Sequence, residues 1–247
     1  MNAPENFRKH LESVRRLMNF DRDLIDFALQ MVGELGDRLR KAGFENPLLN
    51  ADGTLRALKQ VRQNDSLRPR YETVFNQSLV LLVSYFASTM HELFADALRI
   101  AVLTDEDSVL FREEVKLSIR ELRDSSADFP LGLPDILIKA KDISFQDMQS
   151  IGRAFNTYVN VSVPRDSSTN DIIMAQACRH VIVHAGGSAD ERFMRQVISA
   201  VPRNVKQEIS LGTRIQFAPD EVELVGTSMN RYITDLSAAI AAKATCA

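Results

Sequence analysis

Cys178-Arg179-His180-Val181-Ile182-Val183-His184-Ala185-Gly186-Gly187-Ser188-Ala189-Asp190-Glu191-Arg192-Phe193 sits inside a longer segment, Asp171 to Ala200, that reads as helix, stop, helix. Asp171 to Val183 is mostly good helix material. Gly186-Gly187 is a natural stop, because glycine accepts the left-handed conformation that ends a helix. Ser188 to Asp190 supplies short polar residues of the kind that cap a new start. Arg179 and His184 therefore fall on the last turns of one helix, where a reactive group meets solvent without leaving a rigid scaffold.

This pattern resembles the signature of the HEPN superfamily. Those are helical domains whose ribonuclease members carry Arg, a polar residue, a few further positions and then His. Arg179, the polar His180 and His184 fill it, with four residues between Arg and His. Gly186-Gly187, Asp190 and Phe193 look like the glycine pair and the Asp-x-x-aromatic of the HEPN group labelled RiboL-PSP. The resemblance covers about residues 71–243. It implies an all-α, HEPN-like helical bundle over residues 66–247, preceded by a helical extension at 1–65. It also implies a metal-independent endoribonuclease that needs no cofactor and pairs as a homodimer with a composite active site. Such relatives serve as toxins or phage-defence effectors, with an antitoxin protein as a further partner. Two positions depart from the family. The Tyr found two residues after the His in toxins paired with nucleotidyltransferase antitoxins is here Gly186. The acidic residue that follows a Ser-aromatic-aromatic run in several relatives is here Ala87, after Ser84-Tyr85-Phe86, and Glu92 or Asp96 further along are the available substitutes.

The residue types suit that chemistry. RNA brings its own nucleophile, the 2′-hydroxyl beside the scissile phosphate. An imidazole with an ordinary pKa near 6.5 takes or gives that proton at neutral pH. A guanidinium grips phosphate with two prongs and offsets charge on the non-bridging oxygens. The catalytic pair expected is Arg179 and His184, with His180, Asp190 and Arg192 supporting them or contacting RNA. Products would be a 2′,3′-cyclic phosphate and a 5′-hydroxyl. Arg179 and His184, five apart, lie roughly 140° apart around a helix. They meet in one groove only at the helix end.

Other roles fit the same residues. Arg179 and His180 also read as the polar edge of a helix, with His184 capping carbonyls at its C-terminus. His180 and His184 share a face and resemble half a zinc site, though no third ligand stands nearby in sequence. Arg192, Arg195, Arg203 and Lys206 form either a positive rim or a solvated helix face. Beside the nuclease stand two other readings: a non-catalytic module binding RNA or a protein partner, and a helical interaction protein with no nucleic-acid role.

The 247 residues carry a net charge of −3, with 45% hydrophobic and 26% charged residues, and the pI is near 5.9. Those values describe an ordinary globular protein and exclude a backbone-coating, globally basic nucleic-acid binder. Cys178 and Cys246 make no disulfide framework. With a polar N-terminus and no signal-peptide pattern, they point to a reducing cytoplasm and no membrane. The apolar run Leu79 to Met90 reads as a buried helix.

In order, the pattern predicts helices at 5–20, from Asp21 (as cap) to Gly43, at 55–62, and from Pro69 to Leu103. The last of these is apolar nearly all round and is expected at the centre of the core. Thr104 and Asp107 predict a capping box for a helix to Arg123. Pro130, Gly132 and Pro134 predict a loop. Ser144 and Asp147 cap a helix to Tyr158, and 159–163 reads as a short extended piece. A helix at 190–201, a short strand at 209–217 and a helix from Pro219 to Lys243 complete the chain.

Overall fold

Apolar residues at helical spacing account for eight α-helices among the described residues, with no strand. The computed structural model describes residues 2–43, 51–64, 72–104, 108–120 and 129–246. The helices are α1 (Ala3–Lys41), α2 (Ala51–Gln63), α3 (Glu72–Thr104), α4 (Phe129–Ala140), α5 (Met148–Ala154), α6 (Ser167–His184), α7 (Glu191–Val197) and α8 (Pro219–Cys246). The all-α bundle expected from the sequence is the architecture observed.

α3 is the axis. It packs against α1, α4, α6 and α8 and buries Phe75, Leu79, Leu82, Phe86, Met90, Leu93, Phe94 and Leu98. By length and composition it could cross a bilayer. However, 61% of its most apolar window is buried inside the fold, so this apolar surface is largely spent on neighbouring helices. Around it Phe7, Leu11, Val14 and Met18 of α1 join Ile172, Cys178 and Val181 of α6 and Val222, Val225, Met229, Ile233 and Leu236 of α8 in one buried cluster. Residue 65, where the sequence divides extension from bundle, has members of this cluster on both sides.

α1 runs unbroken through Asp21, where the sequence predicts a new cap. Nothing between Phe20 and Leu24 stops a helix, and Asp21 is itself buried on the core-facing side. α1 and α3 run antiparallel. Phe7 meets Phe86 edge-on, and the His10 ring stacks on Tyr85 at 4.0 Å. Leu11 lies against Gly226 of α8. Past Met18 the helix extends beyond the first turns of α3, with α2 packed along it and Arg62 of α2 paired to Asp26 at 3.0 Å. Of the expected core residues there, Ile25 is buried and Ala28, Val32 and Leu39 are half-buried, while Leu24, Phe27, Met31 and Leu35 are exposed.

Three further expectations are corrected. Thr104 ends α3 instead of opening a helix to 123. Ser108 caps a single 3-10 turn, Val109–Arg112, and 113–118 follows as non-helical chain. There Glu113 pairs with Lys141 and Val115 packs on the core, a tertiary anchoring that outweighs local helix propensity; Asp107 lies outside the described residues. The predicted loop around Pro130 and Pro134 is helix α4. Pro130 falls in a first turn whose N–H groups have no partners, and Pro134 forfeits one hydrogen bond; in exchange Leu137 is buried. The third is the helix predicted from Ser144 and Asp147 to Tyr158, which starts later, with Asp147 as its cap, ends as α-helix at Ala154 and closes in a π turn, Phe155–Val159, with Asn160 left-handed at its end.

Candidate functional site: a cationic helix end

Asp166 opens α6, its side chain accepting from the Thr169 N–H at 2.9 Å. Eighteen residues later His184 is the last helical position. Gly186 and Gly187 follow at φ +69° and +79°, a conformation that glycine alone adopts cheaply. With them in place, the Ala185 and Gly187 N–H groups both donate to the Val181 carbonyl. The stop read from the glycine pair is therefore real, and so is the restart. Asp190 caps α7, its carboxylate accepting from the Phe193 N–H at 2.7 Å. That bond commits one Asp190 oxygen to a structural task, and Phe193 is buried as a packing residue.

The expected strand at 209–217 appears as a single antiparallel bridge, Ser188 to Arg214. It is flanked by bonds from Ala189 N to Thr213 O (2.9 Å), Gly212 N to Ala189 O (2.8 Å) and Ile215 N to Gly187 O (2.8 Å). The partner segment is too short for a ladder, but it fixes the loop after α6. Asn76 of α3 holds the far side: its amide donates to the Ile215 carbonyl at 3.0 Å, and its oxygen accepts from the Phe217 N–H at 3.0 Å. The first turns of α3 and the last turn of α6 thus lie at one end of the bundle, the end from which α1 and α2 project.

Asp171 anchors the opposite flank. Fully buried, it accepts from the Asn204 N–H (2.7 Å), the Asn204 amide (2.9 Å) and the Val205 N–H (3.0 Å). Sequence inspection marks Asp171 only as the start of the segment, since its partners stand more than thirty residues away.

The structure brings the expected residues within electrostatic reach of His180. His180, half-buried, has the His184 ring 5.1 Å away and tilted by 51°. Its imidazole is held below the ordinary value. Desolvation is the main cause, followed by the positive charges of Arg192, His184 and Arg179, with Asp190 acting in the opposite direction. All four partners of the predicted site therefore bear on His180. Arg179 is half-buried, and its Nε is buried with no hydrogen-bond partner. His184 and Arg192 are exposed.

The wider rim is not as expected. Arg203 turns inward and donates to the carbonyls of Ala200 (2.9 Å), Lys206 (3.0 Å) and Val197 (3.3 Å). Lys206 pairs with Glu221 at 2.6 Å and covers the Phe217 ring. Both are structural, because a long cationic side chain satisfies several fixed acceptors at once. Arg195 pairs with Glu191 on the surface. Cys178, next to Arg179 in sequence, is buried, and desolvation pushes its thiol up to about 12, which makes it an inert core residue. His91 packs edge-on against Phe145. Among the described residues no group of three or more His, Cys, Asp or Glu side chains comes together as a metal site.

Arg179, His180, His184 and Arg192 thus form a cationic cluster at a helix C-terminus, where the helix dipole favours positive charge. Chemically the cluster can bind an anion, and it sets two imidazole rings 5.1 Å apart beside the place an anion would take. Compared with family models, with curated proteins and with solved structures, the chain matches none.

Proposed function

We propose that the protein is a metal-independent endoribonuclease of HEPN type, acting through Arg179 and His184 with His180 between them. One observation carries this reading. The Arg179 guanidinium is half-buried with its Nε unpaired, and its charge, with those of Arg192 and His184, bears on His180. A buried donor without a partner is costly, and a cluster of one sign is strained by its own repulsion. A phosphodiester offers the missing acceptors and the opposite charge.

In the proposed reaction Arg179 holds the non-bridging phosphate oxygens. A neutral imidazole takes the proton of the 2′-hydroxyl, whose oxygen attacks the phosphorus. A protonated imidazole gives its proton to the departing 5′-oxygen. The lowered pKa of His180 favours the neutral form, which suits the base, and the acid role falls to His184, whose ring lies 5.1 Å away. A second copy supplying the complementary set across a shared cleft is the dimeric form of the same scheme. Toxin or defence activity inside a cell is the biological role that this reading implies.

The test is incubation of the full chain with total RNA in EDTA, with product ends analysed. Cleavage leaving 2′,3′-cyclic phosphate and 5′-hydroxyl ends, and falling at least a hundredfold in His184→Ala and Arg179→Ala, supports the proposal. RNA bound but uncut, with binding weakened in Arg179→Ala, replaces it with a non-catalytic phosphate-binding module. Absence of both removes the nucleic-acid role. Host growth then checks the toxin role: wild type is expected to slow growth and His184→Ala to relieve it.

A further inference from the structure

α1 carries two apolar stripes. The first, through Phe7, Leu11, Val14, Met18 and Ile25, is buried against the bundle. The second, rotated by roughly 120°, consists of Leu17, Phe20, Leu24, Phe27, Met31 and Leu35, each between 40% and 60% exposed. Their spacing of three and four residues is that of a coiled-coil seam. It begins where α1 leaves the bundle and continues along the projecting hairpin with α2. Six large apolar side chains so exposed leave on the order of 500 Å² of apolar surface in one strip. A strip of that size lies toward the upper end of what a single chain exposes and commonly marks a contact surface, and the flanking stems bring it toward the roughly 800 Å² per side of a standard interface.

We infer that this seam pairs with the same seam of a second copy, the two α1 helices running antiparallel. The seam is self-complementary in that direction, as a two-fold interface requires. Layers form between Leu24 and the partner's Phe27, between Phe20 and the partner's Met31, and their symmetry mates. Every aromatic ring then faces a slimmer side chain. A parallel pairing would stack each Phe on its own copy. Charge points the same way. Antiparallel register sets exposed Arg16 opposite the partner's Asp37, twice per dimer; Asp37 also bonds Arg40 of its own chain at 2.8 Å. In parallel register Arg16 would instead face the partner's Asp21, which is buried within its own chain. The antiparallel pair places the bundles at opposite ends of the coil, with their α6 ends turned toward one another. This pairing stands independently of whether RNA is cut.

Light scattering on the eluting full chain, at a few and at tens of micromolar, reads the mass. A dimer is expected for wild type. A monomer with unchanged helical circular dichroism is expected for Leu24→Glu/Phe27→Glu, whose positions are exposed in the single chain. Arg16→Glu is expected to weaken association roughly fivefold, in line with two exposed ion pairs, and Arg16→Glu/Asp37→Arg to restore it. A wild-type monomer at every concentration overturns the inference, as does a dimer that survives Leu24→Glu/Phe27→Glu. Failure of the charge swap to restore association overturns the antiparallel register. Cosedimentation of a wild-type monomer with anionic lipid vesicles, lost in Leu24→Glu/Phe27→Glu, would assign the strip to a lipid surface instead.

Discussion

His180 is the titratable group of the candidate site whose neighbours shift it. Desolvation and the charges of Arg192, His184 and Arg179 lower its pKa, so in the folded protein it titrates below the ordinary imidazole value near 6.5. As pH falls below that value, the unfolded chain takes up the proton before the folded one. The contribution of His180 to stability therefore declines on acidification. A proton NMR titration of the imidazole C2–H, assigned with His180→Asn, should give a midpoint under 6.5. Inorganic phosphate should move it upward, because an anion in the cluster favours the charged ring; a midpoint that phosphate leaves unmoved would count against anion binding there. Asp171 makes the other residue-scale prediction. Asp171→Ala strands the Asn204 and Val205 N–H groups that it now satisfies. It should cost about 3 kcal/mol in chemical denaturation and lower RNA binding only as the fold is lost.

The helix ends show what local sequence can and cannot convey. Asp190 was readable as a cap and accepts the N–H three residues on; Ser144 and Asp147 were read as a capping pair, and it is Asp147 that caps, accepting the Ser150 N–H. A cap is satisfied within its own turn, so four residues suffice to see it. Gly186-Gly187 was legible for the same reason. Replacing Gly187 by Ala forces a side chain into the left-handed region and should lower stability by about 1 kcal/mol, measured as a shift in melting temperature. The same change should disturb His184 more than the distant core. Tertiary anchoring was not legible. Thr104-x-x-Asp107 has the form of a capping box, yet the Lys141–Glu113 pair and the packing of Val115 hold the next segment out of a helix. Pro134 lies inside α4 because Leu137 is buried. Arg203 reads as a rim cation, but its acceptors are carbonyls whose positions only the folded turn defines. For the candidate site, the residue types and their spacing were visible in sequence, while the burial of the Arg179 Nε was not. The charges that bear on His180 come from α6 and from the start of α7, which only the folded turn brings together.

At the scale of the whole molecule, charge is arranged locally, not globally. A chain of net charge −3 places Arg179, His180, His184 and Arg192 at one end of its bundle. RNA binding should therefore depend steeply on salt at that cluster alone, with a slope reduced by about one for each Arg replaced; filter binding across a salt series measures it. The bundle also joins the beginning of the chain to its end. Leu11 of α1 lies against Gly226 of α8, and Arg15 bonds Glu223 at 2.9 Å. In synthesis α1 can meet α2 and α3 early, but the part of its face around Leu11 and Arg15 stays open until α8, far along the sequence, is made. A chain truncated before Pro219 should accordingly keep the pairing of α1 with α3 yet be cut by protease near Leu11 and Arg15, where the intact protein is protected.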